Sequence, residues 1–402
     1  MAFELADIRF FQDHAVEIRQ VSEQLEGTRA KALVEAQLLR ERFGEHGRAV
    51  GELADARRRA VRTGKFPATW LSDIDAAQQA TPAPVACARA QHLARLGVDF
   101  VHDVTCSVGT EAPALRAAGI GYLGSDLDKT RVAMARNNVP ELPFVVADAL
   151  APVSARGVVV ADPARRAGGQ RITKPEQLLP ALPDLLAAYP GREMAVKCAP
   201  GLDYSEWAGP MVVASVDGAV KEACLYTPGL AERPAADGQP VRAAWLLRGD
   251  AASGAATGQD GAGDETISSA DFSPDELPAA GEVGRYIVDP DGAVVRAGLV
   301  KHYAARHGLR QLDEKIAYLT GETIPPGRSG FPFIEQVSLK RLSSCLKVLD
   351  AGSLEILVRG VNIDPDQLRK KLKLRGSRPL AVVVTRLGRG AVALVCEPRQ
   401  WN

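Results

Sequence analysis

Between residues 98 and 200 the chain alternates short apolar runs with longer stretches whose apolar residues recur at helical spacing. DFVHDV (99–104), YLGSD (122–126), FVVAD (144–148), VVVAD (158–162) and EMAVKCAP (193–200) read as strands. TEAPALRAAG, KTRVAMARNN and KPEQLLPALPDLLAAY read as the helices between them. Such alternation predicts a parallel sheet with helices on both faces. VVASVDG, KEACLYT and RAAWLLRG, within 212–249, predict later strands that run antiparallel. Upstream, residues 1–64 are polar with Leu, Val and Ala at helical spacing, and the breaker cluster TGKFPATW follows. Pro82 and Pro84 suit the start of one more helix and Gly97 its stop.

The pattern fails over 249–284, which holds seven glycines, eight acidic residues and no Lys or Arg. That composition predicts a flexible acidic linker or long loop. YIVDPDGAVVRAG then reads as a hairpin, LVKHYAARHG as a helix, and 331–402 as alternating strand and helix. The expected organisation is a helical region (1–79), an α/β domain (80–248), the linker (249–284), a connecting hairpin and helix (285–330) and a smaller α/β domain (331–402). A chain of 402 residues exceeds one ordinary domain, which agrees.

Composition changes this picture in two places. The 49 basic and 49 acidic residues cancel, so any nucleic-acid or membrane surface must be local, and 331–402 supplies one with 13 basic residues against 6 acidic. The six cysteines are scattered without a CxxC pair, which fits a reducing cytosol and argues against a zinc ribbon or a disulfide framework. MAFELADIRFFQDH lacks the basic start and apolar core of a signal peptide. No run approaches the ~20 apolar residues that cross a bilayer, so a cytoplasmic protein without membrane contact is expected.

Four consecutive strands end in an acid: Asp103, Asp126, Asp148 and Asp162. Ligands of a doubly wound sheet sit outside those carboxyl ends. Any one of these residues alone is equally a helix cap, but the register of all four argues for a site. The turn after the first strand, DVTCSVGTEA, carries Thr105 and Ser107 where a dinucleotide fingerprint has glycines, leaving Gly109. Backbone cannot approach a pyrophosphate closely there, which disfavours NAD and FAD.

Over residues 80–248 the chain resembles the class I S-adenosylmethionine-dependent methyltransferases, whose domain is Rossmann-like. DVTCSVGTEA is similar to their first motif, GSDLD to the second, VVAD to the third and ADPARR to the fourth. KFPATW, QQATPAPVACARAQHLA, DVTCSVGT, DPARR and RKKLKLRG together resemble bacterial methyltransferase-like proteins with a carboxyl-terminal THUMP-like domain. The resemblance implies S-adenosylmethionine as cofactor, with Asp103 on its ammonium. Asp126, with Leu127 and Asp128 beside it, would take the ribose hydroxyls, and Asp148 and Ala149 the adenine edge. Thr105, Ser107 and Gly109 would form the turn, and Thr81 would close over it.

The fourth motif in amino-methylating relatives is D/N-P-P-Y/F. Here Asp162 and Pro163 remain, Ala164 replaces the second proline and Arg165 the aromatic residue. Asp162 is then expected to face the methyl acceptor. Arg165 would stack on a base or, with Arg166, hold an anionic substrate. A bracing pair between Arg165 and a neighbouring Asp stays open. GGQRITKPEQ is a candidate lid, and Lys197 a candidate substrate contact that could equally snorkel to solvent. Cys106 reads as small-residue packing. His302 and His307, five apart, do not share a helical face, and no metal is called for.

RKKLKLRGSRP (369–379) concentrates Arg369, Lys370, Lys371, Lys373, Arg375 and Arg378. A helix through it would align 370, 373 and 377 while Leu368, Leu372 and Leu374 pack. That face suits phosphate contacts rather than base reading, and Arg57–Arg59 could extend it. The leading expectation is a methyltransferase acting on a nucleobase nitrogen of RNA, with Lys370, Lys371 and Lys373 on its substrate; tRNA and rRNA are not distinguished. Methylation of a small anionic metabolite, and a non-catalytic RNA-binding protein that keeps the cofactor fold, remain as alternatives.

Overall fold

Val158–Ala161 has no polar side chain and all four residues are buried, as a central parallel strand requires. In the computed structural model, which describes residues 3–164, 174–204, 206–235, 238–249 and 263–402 and the backbone of 166–167 and 170–171, this strand sits mid-sheet. The chain divides into two units, 1–233 with 245–265, and 234–244 with 266–402.

The first unit opens with helices α1 (Leu5–Asp13), α2 (Ala15–Gln24), α3 (Ala32–Phe43), α4 (Gly47–Arg62), α5 (Ile74–Gln79) and α6 (Ala83–Arg95). β1 (Phe100–Asp103), α7 (Ala112–Ala117), β2 (Gly121–Asp126), α8 (Lys129–Asn138), β3 (Phe144–Val146) and β4 (Val158–Ala161) follow. A short hairpin, β5 (Arg166–Ala167) and β6 (Gln170–Arg171), precedes α9 (Leu182–Ala188), β7 (Met194–Cys198), β8 (Met211–Val216) and β9 (Ala219–Tyr226). Seven strands of a nine-stranded sheet run β8-β9-β7-β4-β1-β2-β3. β7, β4, β1, β2 and β3 are parallel, and β9 is antiparallel to both β7 and β8.

The amino-terminal helices belong to this unit rather than to a separate region. Ile8, Phe11, Ile18, Leu39, Val50 and Leu53 share one core with Val108, in the turn after β1, and Met134 of α8. Asn138 adds a polar staple: its Oδ1 accepts from Leu71 N at 2.7 Å, and its Nδ2 donates to the carbonyls of Leu71 (2.9 Å) and Val108 (3.1 Å).

Three expected elements differ. The helix expected over 174–189 is a 3-10 turn (Pro175–Gln177) and then α9, because Pro180 and Pro183 carry no N–H to continue a ladder. The hairpin expected over 286–298 is a strand (Tyr286–Val288) and a helix (Gly292–Arg296), which begins where the Asp291 carboxylate accepts from Ala293 N at 2.8 Å. Residues 263–284, expected to be loose, hold a strand (Glu265–Ser268) and a 3-10 turn (Pro274–Glu276) closed by a Ser273–Glu276 capping box. The rest of that expected linker, 250–262, lies outside the described residues.

In the second unit, the strand order of an eight-stranded sheet is 310–313, 316–321, 286–288, 329–338, 390–396, 378–387, 351–359, and the eighth strand, 400–401, pairs with 329–338 off that path. The stretch expected to be a connector thus supplies three strands of the same sheet as 331–402. Helix Pro365–Leu372 makes the crossover between the parallel strands Ala351–Arg359 and Arg378–Leu387. Among the described residues no helix is long and apolar enough to cross a membrane.

Candidate active site

β1 has β2 on one side and β4 on the other, so strand order reverses there and a crevice opens outside the carboxyl ends. Asp103 ends β1 and is buried. One of its oxygens accepts from Thr105 N at 3.3 Å, the other from the Tyr122 hydroxyl at 3.2 Å. Burial, followed by the charge of Glu111, raises its carboxyl to about 7, against the opposing pull of Lys197.

Asp126 ties two turns together. Oδ2 accepts from Ser107 N and Oδ1 from Asp128 N, each at 2.9 Å, and burial lifts this carboxyl too above its ordinary value. The turn after β1 holds Ser107 at φ 49° and Gly109 at φ 90°. A Cβ on Gly109 would meet the Phe144 ring at 3.3 Å, so packing against β3 requires that glycine as much as any ligand does. Ser107 Oγ accepts from Arg131 at 2.7 Å. Asp128 caps α8 through Thr130 N (2.7 Å) and Arg131 N (3.3 Å), and Asp148 accepts from Leu150 N at 2.9 Å. Ala149 is buried, its carbonyl taking the Tyr189 hydroxyl at 2.9 Å, whereas Leu127 is 72% exposed. Cys106 is buried, and burial with Asp103 and Asp126 nearby pushes its thiol well up, consistent with packing and not with a nucleophile.

On the β4 side of the crevice, Asp162 N donates to Thr105 Oγ1 at 2.6 Å, so the turns after β1 and β4 are joined. The Asp162 carboxylate lies 2.9 Å from Lys197 Nζ. Pro163 is buried, and Ala164 bridges to Leu179, its N–H donating to that carbonyl at 2.8 Å. Arg165 and part of the expected lid lie outside the described residues. The Arg166 backbone pairs with Arg171.

Two expected site residues lie in the interior, behind Asp162. Lys197, expected at the substrate, is buried and meets Asp162, Glu111 at 3.1 Å and the Thr81 hydroxyl. Thr81, expected over the cofactor, is buried against that ammonium. Both follow from β7 being interior, where a lysine must find anionic partners. Beyond them, the sequence pattern did not single out Glu111, Arg89 or Glu222. Arg89 on α6 is fully buried, ion-paired with Glu222 on β9, and 3.8 Å from Glu111. The signal available was a charged residue interrupting an apolar helix face (Arg89) and an apolar strand (Glu222).

In the second unit Lys370, Lys371, Lys373 and Arg375 are exposed, with no ion pair among the described residues. Arg369 pairs with Asp366 at 2.7 Å and Arg378 with Glu397 at 2.9 Å. The expected alignment of 370, 373 and 377 on one helix does not form. The helix ends at Leu372 and Lys373 turns left-handed at φ 47°, which lets Leu374 fold back onto the core. Arg57 and Arg58 are engaged within the first unit. Arg57 donates to the carbonyls of Trp70 and Thr69, and Arg58 to Asp55 and Leu25 O.

The strand-end donor set is acidic and hydroxyl-bearing, and its turn lacks the glycines that admit a pyrophosphate. It suits a cationic ligand that carries hydroxyls and repels a dinucleotide. Among the described residues no group of His, Cys, Asp and Glu is placed to hold a metal ion.

Comparison with known proteins agrees. Residues 329–398 match the family described as THUMP domain-like. Two Mycobacterium tuberculosis proteins, from strains CDC 1551 / Oshkosh and H37Rv, are each described as an uncharacterized S-adenosylmethionine-dependent methyltransferase. Both are 46% identical to this chain over 381 residues, 90% of its length and 99% of theirs. Among solved structures, a methyltransferase candidate from Porphyromonas gingivalis W83 is similar in fold over 98% of this chain and 99% of its own, with a TM-score of 0.68 at 17% identity.

Proposed function

This chain belongs to the S-adenosylmethionine-dependent methyltransferases, and on that premise we propose that it methylates a nucleobase nitrogen of RNA. S-adenosylmethionine supplies a methyl group on a sulfonium, which the lone pair of the acceptor nitrogen takes as the carbon–sulfur bond breaks onto sulfur and the nitrogen sheds a proton. Asp103 would accept from the ammonium of that cofactor, Asp126 would take its ribose hydroxyls on the acceptor sites left beside Ser107 N and Asp128 N, and Leu127, Ala149 and Asp148 would hold its adenine. Asp162 faces the acceptor nitrogen and accepts its N–H, which aims the lone pair along the transfer line.

The observation that carries this reading is the position of Asp162: its backbone is held by Thr105 across the crevice and its carboxylate by Lys197. An acid fixed there is suited to orient a hydrogen-bond donor. RNA as the acceptor rests on the THUMP domain-like match and on the four exposed cations of 370–375.

The test is transfer of a labelled methyl group into total bacterial RNA by wild type and Asp162→Ala, with S-adenosylhomocysteine affinity measured alongside. Transfer is expected to fall by about 100-fold while affinity stays within about threefold. Label in small molecules instead of RNA, or undiminished transfer by the variant, would refute the proposal.

A further inference from the structure

β1 and β4 pair in parallel register as far as Asp103 and Val160, and the pairing continues where Val104 N donates to Val160 O at 2.9 Å. The chain leaving β1 then turns away, which opens the crevice. In unbroken parallel pairing the next donor on the β4 side, Asp162 N, would meet the Val104 carbonyl. Thr105 meets it instead with a side chain, its Oγ1 accepting at 2.6 Å. A glycine, which the dinucleotide fingerprint places here, carries no side-chain acceptor.

The same turn is fixed on its β2 side. Cys106 N donates to Ser125 O and Ser107 N to the Asp126 carboxylate, each at 2.9 Å. The turn thus spans the crevice as one piece. It is expected to seat the amino-acid end of the cofactor, and it holds the backbone of Asp162.

We infer that Thr105 is the positioning residue of the methyl transfer: its hydroxyl makes the turn that seats the methyl donor also set where Asp162 stands. Donor and acceptor are then measured from one stretch of backbone. The inference rests on the methyltransferase reading of the crevice and deepens it. It concerns the Asp162 backbone and holds whatever its carboxylate meets. In-line transfer is demanding, since an error of about 1 Å in placement costs on the order of 100-fold in rate. Thr105 acts through Asp162, so its loss should appear in turnover and not in binding.

The test follows the Asp162 amide itself. Full-length protein is isotope-labelled at the aspartate nitrogen, and the Asp162 signal is identified by its loss in Asp162→Asn. Exchange of that amide with solvent is measured with and without S-adenosylhomocysteine in wild type, Thr105→Val and Thr105→Ser. Valine keeps the shape of threonine without the acceptor, and serine keeps the acceptor. In wild type the ligand should slow exchange by about three- to tenfold, the effect of steadying one hydrogen bond. Thr105→Ser should keep most of that slowing and Thr105→Val lose it, with calorimetric affinity for S-adenosylhomocysteine within about threefold in all three. In transfer of a labelled methyl group into total bacterial RNA, Thr105→Val should lower kcat by about 10- to 100-fold with KM for RNA within about threefold, and Thr105→Ser should restore kcat. A bond that merely braced the fold would lower Tm and leave the ligand's effect on Asp162 as in wild type.

Wild-type slowing or undiminished kcat in Thr105→Val would overturn the inference, as would a wild type that binds S-adenosylhomocysteine without slowing the amide. Failure of wild type to bind that ligand at all would remove the cofactor site and the inference together, and the titration alone would show it. Binding and slowing without label in RNA would support Thr105 in its role and overturn the RNA reading instead. Should Thr105→Val not fold, Thr105→Ala removes the same acceptor with less bulk, and loss of the slowing is again the supporting result.

Discussion

Replacing Arg89 by methionine removes a guanidinium with no exposed surface and leaves Glu222 and Glu111 in the interior with one fewer cation. Lys197 still meets Glu111, but it makes no direct pair with Glu222, so the penalty falls mainly there. Breaking a buried ion pair from one side costs about 3–5 kcal/mol. For a unit of this size, about 2–4 °C of Tm accompanies each kcal/mol, so the melting transition should drop by about 6–20 °C. Thermal and urea denaturation of the full chain at neutral pH measure it.

A second variant separates loss of charge balance from loss of packing. Arg89→Met/Glu222→Met replaces both partners by apolar side chains, and most of the deficit should return. A single-variant loss under about 1 kcal/mol, or a double variant no better than the single, would refute the view of these residues as one mutually compensating ladder.

Gly109→Ala sets a left-handed residue at φ 90° against the Phe144 ring, and should cost about 1–3 kcal/mol in urea denaturation together with a weaker cofactor site. Asp103, raised from 3.8 to about 7, must be ionised to accept from an ammonium. Affinity for S-adenosylhomocysteine should therefore climb up to about tenfold per pH unit from pH 5 to 7 and level off above, and a flat profile would remove Asp103 from that role. Stability of the ligand-free protein moves the other way. The folded chain keeps a proton that the unfolded chain releases near 4, so this residue's contribution declines as pH rises from about 4 to about 7. Lys370→Glu/Lys371→Glu should weaken RNA binding and flatten the slope of log affinity against log salt by about 1.4–1.8, and an unchanged slope would exclude these lysines from phosphate contact.

What the chain's pattern revealed and what it hid divide along sequence distance. β1 and β2 end at the aspartates that the apolar runs indicated, α8 spans Lys129–Asn138 as its periodicity predicts, and α6 begins beside Pro82 and Pro84. Each is decided within about ten residues, by side-chain periodicity and by which residue can cap or break. The short helices after Asp291 and before Tyr189 were misread for a local reason of the same kind: capping and proline chemistry outweighed the periodic signal there. The ladder is a different case. Arg89 and Glu222 are 133 positions apart and Lys197 and Thr81 116 apart, so no local rule joins them. Yet each breaks an apolar run that the fold must bury, and a buried charge requires an opposite one. Two interrupting cations (Arg89, Lys197) and one interrupting acid (Glu222) lie on elements bound for one core. A second acid, Glu111, stands in the turn that this core supports. Demanding that they satisfy one another would have drawn Lys197 inward, away from the substrate, on the sequence alone. The same demand leaves Asp162 as the one charge of the set that reaches the crevice, which is why the chemistry should be sought there and not at the lysine behind it.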